Sequence, residues 1–259
     1  MKAVGGAQAL ERGLVLLEAI AGAPAEGVRL ADLAERCGLE PPTAHRLVAA
    51  LERYGFVGRV GDSRRLGLGP KLFQLASLSE DQGGLVVAAR AGLLRLASYS
   101  GDCMFLMARS GFDAVCLDRQ DGEYTIRSLT GHIGGATPLG LGPGSTTILA
   151  HLPKDERDAI LAANRRRIEA LGHVPPSEDD LARIRERGHY YEVSKSIAGI
   201  VGAAVPILTP KGRPIAALAI GATEARLPEP RLAAVIARMQ EEASLLNLTI
   251  ANSRAAVRS

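Results

Sequence analysis

The chain has 259 residues, 47% of them hydrophobic and 23% charged, which is enough for one large or two smaller domains with a real core. The 31 Lys and Arg against 28 Asp and Glu leave a formal charge of only +3, so a uniformly polycationic protein is excluded and any anionic partner must be met by a local patch. No apolar run approaches the roughly 18 residues of a membrane helix, and the opening MKAVGGAQALERG lacks the apolar core of a signal peptide, so neither a membrane nor export is expected.

The first 69 residues read as one compact unit. Leu10, Leu14, Leu17 and Ile20 recur at helical spacing between Gln8 and Gly22, and Gly22-Ala23-Pro24 ends that pattern. Leu30, Leu33, Ala34 and Cys37 form a second short pattern, closed by Gly38, a residue suited to the left-handed position after a helix end. A third helix is expected to start at Pro41-Pro42, with Ala44, Leu47, Val48 and Leu51 as its apolar stripe and Gly55 as its end. FVGRV, GDS and RRLGLG then read as strand, turn and strand. Three helices and a hairpin, with the short link GLEPP between the second and third helices, make a helix-turn-helix with a wing.

Residues 70–100 are helical in pattern, with an interruption expected at Asp81-Gln82-Gly83-Gly84. The resulting division is residues 1–69 for the first unit, 70–82 for a linking helix and 83–259 for the rest. In the remainder, Cys103–Ala108 and Ala114–Leu117 read as a hairpin, and Thr125 to Leu129 as a third strand. A Gly-rich stretch leads into a helix at Thr146–His151. Lys154–Ile168 and Glu178–Arg187 read as polar helices, the latter with Ser177 as its cap and acids in its first turn, where the dipole favours them. Ile200–Leu208 and Pro214–Ile220 are strong strands, and Arg231 to Ala251 is a closing amphipathic helix. The order of strands and helices specifies an α+β domain.

A helix-turn-helix presents its second helix to the major groove. With the apolar stripe turned inward, the opposite face of that helix carries Thr43, His45, Arg46 and Arg53, next to Pro42 in its first turn. Arg59, Arg64, Arg65 and Lys71 against the lone Asp62 give the hairpin region a local cationic excess, which a nearly neutral chain needs to hold double-stranded DNA. Read from spacing alone, the same pattern also fits a three-helix structural domain with solvated arginines.

The stretch LADLAERCGLEPPTAHRLVAALERYGFV, preceded by QALERGLVLLEAIA and followed by GRVGDSRRLGLGPKLFQLA, closely resembles the N-terminal domain of the IclR family of bacterial transcription regulators. The resemblance continues in collinear order through FLMARSGFDAVCLDR, PLGLGPGSTTILAHLP and GIVGAAVPILTPKGRPIAALAIGA. It implies a winged helix-turn-helix, a linker helix and a GAF-like (profilin-like) mixed α/β effector-binding domain, assembled as a homodimer or dimer of dimers and working in the cytoplasm. It further implies a small-molecule effector beneath positions matching Gly142, Pro143, Gly144 and Ser145, walled by positions matching Glu192, Gly202, Ala219 and Gly221. A Gly-rich turn opening a helix agrees with this, because its free N–H groups suit a carboxylate. Family members carry hydroxyl or thiol side chains where this chain has Gly202, Ala219 and Gly221. The loss of polar groups, and the room it is expected to leave, favour a bulkier, partly apolar acid, aromatic acids among them.

The rival from another class is an enzyme acting on a small organic acid in the second domain, with the first unit serving dimerisation. Few residues favour it. GLGPGST lacks the Lys of a phosphate loop, and Ser194-Lys195-Ser196 has no visible orienting partner and reads as a solvated loop. His45, His132, His151, His173 and His189 lack metal-ligand spacing, although His132 lies near the Gly-rich stretch. Cys37, Cys103 and Cys116 are odd in number without CxxC spacing, which fits a reducing compartment. Arg165-Arg166-Arg167 reads as a solvated face, and strand alternation leaves either Met104 or Met107 free to face a pocket. No catalytic residue, metal or cofactor is expected.

Overall fold

The computed structural model describes residues 6–78, 80–124 and 132–256, with 76–78, 80–83 and 251–256 described by their backbone course only. The expected strand Thr125 to Leu129 lies outside these residues. The chain divides into two compact units, 1–83 and 84–259.

The first unit runs α1 (Gln8–Ala21), α2 (Leu30–Arg36), α3 (Pro41–Arg53), β1 (Val57–Arg59), β2 (Leu66–Leu68) and α4 (Pro70–Leu78). β1 and β2 pair antiparallel with Gly58 opposite Gly67, and Val28 adds a single bridge to Leu66. The two helices of the reading motif are joined by a Schellman turn. Gly38 sits at φ +61°, which needs no Cβ, and the N–H groups of Gly38 and Leu39 return to the carbonyls of Glu35 and Ala34. Four residues, Cys37 to Glu40, therefore suffice to join α2 to α3. The core is Leu16, Ile20, Val28, Leu33, Val48, Val57 and Leu66, with Leu47 and Leu51 half-buried against it.

α1 departs from its expected face. Its buried residues are Gly13, Leu16 and Ile20, whereas Leu10 and Leu14 are exposed at 65% and 51%. The run Leu14 to Leu17 is apolar on every side, so spacing alone selects no unique stripe; packing against α3 and β2 selects it instead.

The second unit continues with α5 (Glu80–Ser100), β3 (Cys103–Ser110), β4 (Asp113–Gln120), β5 (Ala136–Pro138), α6 (Pro143–Ala150), α7 (Lys154–Ala170), α8 (Glu178–Arg187), β6 (Tyr190–Val193), β7 (Ile200–Leu208), β8 (Pro214–Thr223) and α9 (Glu229–Ala256). The two units divide between Gly83 and Gly84, as expected of a joint, but α5 passes through the pair without the expected interruption of the helix. Each Gly weakens a helix by about 1 kcal/mol relative to Ala, too little to break one of 21 residues packed along Leu85, Ala89, Leu93 and Leu96. α8 carries the expected cap: the Ser177 hydroxyl accepts from the Asp180 N–H at 3.2 Å, and Asp180 returns a bond to the Ser177 N–H at 2.9 Å.

The sheet is antiparallel in the order β5-β4-β3-β8-β7-β6. Met104, Leu106 and Ala108 of β3, Ala203 and Val205 of β7, and Leu218 and Ile220 of β8 pack with α5 and with Val235, Ile236 and Met239 of α9. The other face, built from Phe105, Met107, Ala204, Ala217 and Ala219, lies under α6 and its neighbours. With both faces covered, β7 and β8 read as near-continuous apolar runs rather than alternating ones, which is why they were legible. β6 pairs only with Val201–Ala204, so Pro206 of β7 lies past its end and no ladder bond is demanded of the missing N–H. Asp102, fully buried, is met by Arg226 at 2.6 Å and 3.2 Å, and Arg226 lies over the Tyr124 ring at 3.6 Å.

Candidate nucleic-acid interface and ligand cavity

α3 turns Ala44 and Val48 into the core, which leaves Pro42, His45, Arg46 and Arg53 exposed and Thr43 half-exposed on its outer side. Arg46 Nε donates to the carbonyl of Pro42 at 3.3 Å, which lays its guanidinium back along the first turn. The side chains of His45 and Arg53 make no hydrogen bond or ion pair among the described residues. The hairpin tip is closed by the Ser63 hydroxyl, which donates to the Val60 carbonyl at 2.6 Å.

The three hairpin arginines are not equivalent. Arg59 pairs with Glu52 of α3 at 2.9 Å and donates to the Arg64 carbonyl at 2.8 Å, tying the wing to α3. Arg65, half-buried, donates to the Gly27 carbonyl at 2.9 Å, tying the wing to the link between α1 and α2. Only the Arg64 side chain is exposed and without a hydrogen bond or ion pair among the described residues. Sequence reading could not separate the three, since the division depends on which cation reaches a carbonyl or carboxylate distant in sequence.

In the second unit, Gly142, Pro143, Gly144, Ser145, Glu192, Gly202, Ala219 and Gly221 all line one cavity of about 340 Å³. Gly142, at φ +80°, is the N-cap of α6 and Pro143 its first residue, so the chain enters the helix sharply over the sheet. The Ser145 hydroxyl is spent inside this turn, donating to the Leu141 carbonyl at 2.5 Å and accepting the Leu141 N–H at 3.1 Å. The N–H groups of Gly144 and Ser145 have no backbone acceptor among the described residues and stand at the positive end of α6.

Two glycines bring helix and sheet together. A Cβ on Gly202 would lie 2.7 Å from Pro143 Cγ, and one on Gly144 would lie 2.7 Å from Met107 Cγ. The missing side chain at Gly202 is thus filled by Pro143 and leaves no added room for a ligand, which corrects the expectation of space there. Ala219 and the apolar Phe105, Met107, Ile197 and Ile200 complete a mostly hydrophobic lining. Alternation sends Met104 into the α5–α9 core and Met107 into the cavity.

Glu192 is the acidic residue of the lining. It accepts the Tyr190 hydroxyl at 3.0 Å; burial pushes its carboxyl pKa up, while Tyr190, His173 and Lys195 pull it back. Sequence reading missed His173, Ser194 and Ser196, which also line the cavity. His173 Nε2 lies 2.6 Å from Ser196 Oγ, pinning the β6–β7 connection to the link between α7 and α8. Neither residue carries a motif, because the pair forms only when two loops meet. His132, exposed, does not line the cavity, and His151 is held by the Thr147 carbonyl at 2.9 Å, with burial pushing its pKa down. Cys103 and Cys116 are buried, and burial pushes the Cys116 thiol up to about 11. Among the described residues, no group of three or more His, Cys, Asp or Glu could hold a metal ion, and no helix is long and apolar enough to cross a membrane.

Comparison with known proteins bears on both units. Residues 9–61 match the IclR helix-turn-helix domain, and residues 80–247 match the bacterial transcriptional regulator IclR C-terminal domain. The chain is 29% identical over 237 residues to the transcriptional repressor IclR of Escherichia coli, covering 89% of this chain and 85% of that one. It is 27% identical over 252 residues to the HTH-type transcriptional regulator BhcR of Paracoccus denitrificans, covering 95% and 88%. Among solved structures, an IclR homologue from Microbacterium hydrocarbonoxydans, crystallised with 4-hydroxybenzoate, superposes with a TM-score of 0.78 at 22% identity, covering 94% of this chain and 99% of that one. The Thermotoga maritima IclR structure gives 0.70 at 23% identity, covering 94% and 98%. At these identities the structural likeness establishes the fold.

Proposed function

Given that this chain belongs to the IclR family and is a DNA-binding transcription regulator of that type, we propose that its 340 Å³ cavity takes a small organic acid of aromatic size as effector. The effector's carboxylate sits at the N-terminus of α6, and its occupancy changes the affinity of the first unit for an operator. The observation that carries this reading is the convergence of eight residues from α6, β6, β7 and β8 on one largely apolar cavity, into which an N-terminal helix turn brings unpaired N–H groups. Glu192 offers an acceptor to a ligand hydroxyl. The Microbacterium relative, crystallised with a hydroxybenzoate, is consistent with a ring of that size.

On the DNA side, Thr43, His45, Arg46 and Arg53 of α3 face the major groove and Arg64 meets a phosphate at the wing, with Pro42 shaping the first turn. Arg59 and Arg65 act by holding the wing in place. The protein works in the cytoplasm as a homodimer or a dimer of dimers, one reading head per half-site. Ligand binding shifts DNA affinity only to the extent that the acid prefers one arrangement of the heads. Isothermal titration with benzoate, 4-hydroxybenzoate, pyruvate and glyoxylate tests the effector class. Saturable binding of the aromatic acids is expected; tight binding of glyoxylate or pyruvate, with none of the aromatic acids, contradicts it.

A further inference from the structure

A second cavity, of about 610 Å³, adjoins the first and shares Leu141, Gly142, His173 and Glu192 with it. Its walls are β6, α8 and the stretch carrying Val174, Pro175 and Pro176. All four residues of β6 line it, and β6 is the outermost strand of the sheet. On its inner side β6 pairs Tyr190 with Ala204 and Glu192 with Gly202, and the Ser194 N–H continues the ladder to the Ile200 carbonyl at 2.8 Å. The alternation of an antiparallel ladder then turns the N–H and C=O groups of Tyr191 and Val193 outward, where they have no backbone partner among the described residues.

The lining carries Asp180 and Glu192 against Arg183, Arg187 and Lys195, a net charge of +1. Asp180 is engaged by the Ser177 cap and by Arg183, and Glu192 accepts the Tyr190 hydroxyl. The side chains of Arg187 and Lys195 line the cavity, exposed, and make no hydrogen bond or ion pair among the described residues. Arg187, Lys195 (whose charge also reaches Glu192) and outward backbone N–H groups surround a volume inside the ~300–1,000 Å³ range of small-molecule sites, and Val174, Pro175, Pro176 and Ile184 add an apolar wall. The geometry points to a second ligand site, distinct from the acid cavity beneath α6, that takes a small multiply charged anion bearing carboxylates or a phosphate. Arg187 and Lys195 bind its charge and the β6 edge donates to its oxygens. This site stands whether or not the acid cavity takes an aromatic ligand.

Calorimetric titration of the full chain at low ionic strength, with citrate and glucose 6-phosphate as separate probes, tests it. Saturable binding of at least one is expected, and the probe that binds identifies carboxylate or phosphate as the preferred charge. Arg187→Ala combined with Lys195→Ala weakens that binding about tenfold with an unchanged melting temperature, because both side chains are exposed. Ala219→Met, which fills the first cavity, leaves it unchanged. Absence of binding by both probes, or wild-type binding by the double variant, overturns the proposal. So does loss of binding in a folded Ala219→Met protein, which places the anion in the first cavity.

Discussion

Replacing Arg64 and Arg65 by Ala one at a time separates a DNA contact from a tie inside the fold. The Arg64 side chain is exposed and bonds nothing among the described residues, while its carbonyl, which holds Arg59 at 2.8 Å, survives in the Ala variant. Arg64→Ala therefore leaves the melting temperature unchanged and removes one phosphate contact per reading head. Each such contact contributes about 0.9 to the slope of log affinity against log salt, so between about 50 and 200 mM salt the variant loses roughly threefold to fourfold less affinity per head than the wild type. Arg65 gives the opposite result. Its bond to the Gly27 carbonyl spans 38 residues of sequence and is partly buried, so Arg65→Ala costs about 1 kcal/mol, or about 4–8 °C in the melting of a unit this small. Fluorescence anisotropy over a salt series, on a duplex from the gene's own upstream region, reads the first effect, and circular-dichroism melting reads the second. If Arg65→Ala changes the salt slope and spares the melt, or Arg64→Ala does the reverse, the division of labour in the wing is wrong.

Gly202→Ala places a Cβ 2.7 Å from Pro143 Cγ and 3.2 Å from the Ile220 carbonyl, so the start of α6 must move. Urea denaturation should show a loss of about 1–3 kcal/mol, and calorimetry should show 4-hydroxybenzoate affinity lost; wild-type values in both refute the close approach. Because burial raises the Glu192 pKa, its neutral form persists to higher pH than for an ordinary carboxyl. The stability linked to it is full below the unfolded pKa and lost as pH rises through the folded one. An acid in the cavity accordingly meets less repulsion as pH falls, and its affinity should rise as pH is lowered through the raised Glu192 pKa. Glu192→Gln should flatten that dependence, with His173 and Lys195 still facing the site; an unchanged slope refutes the role of Glu192.

Much of this was legible because local rules and packing agree. Gly38 ends α2, Pro41 starts α3, Ser177 caps α8, and β7 and β8, buried on both faces, announce themselves as apolar runs. The misses share a different cause. α1 is apolar on several sides, and only its neighbours decide that Leu16 faces inward and Leu14 outward. β5 and β6 are short and half-exposed, so they carry little periodic signal. Gly83 and Gly84 do stand at the division between the units, but they lie in a helix, whose later residues are held by the sheet, rather than in a break. The room inferred at Gly202 is occupied by Pro143, and the roles of Arg65 and His173 are set by partners at Gly27 and Ser196. These are long-range contacts, which no pattern within a single element reveals.

The most direct measurement is anisotropy of the full-length protein on its own upstream duplex, titrated with and without saturating 4-hydroxybenzoate, in the wild type and in Gly202→Ala. Salt-sensitive binding that the acid shifts in the wild type and fails to shift in Gly202→Ala is the predicted result. Failure to hold the duplex at low salt, or the same shift in both proteins, would contradict a regulator whose reading heads answer to the cavity beneath α6.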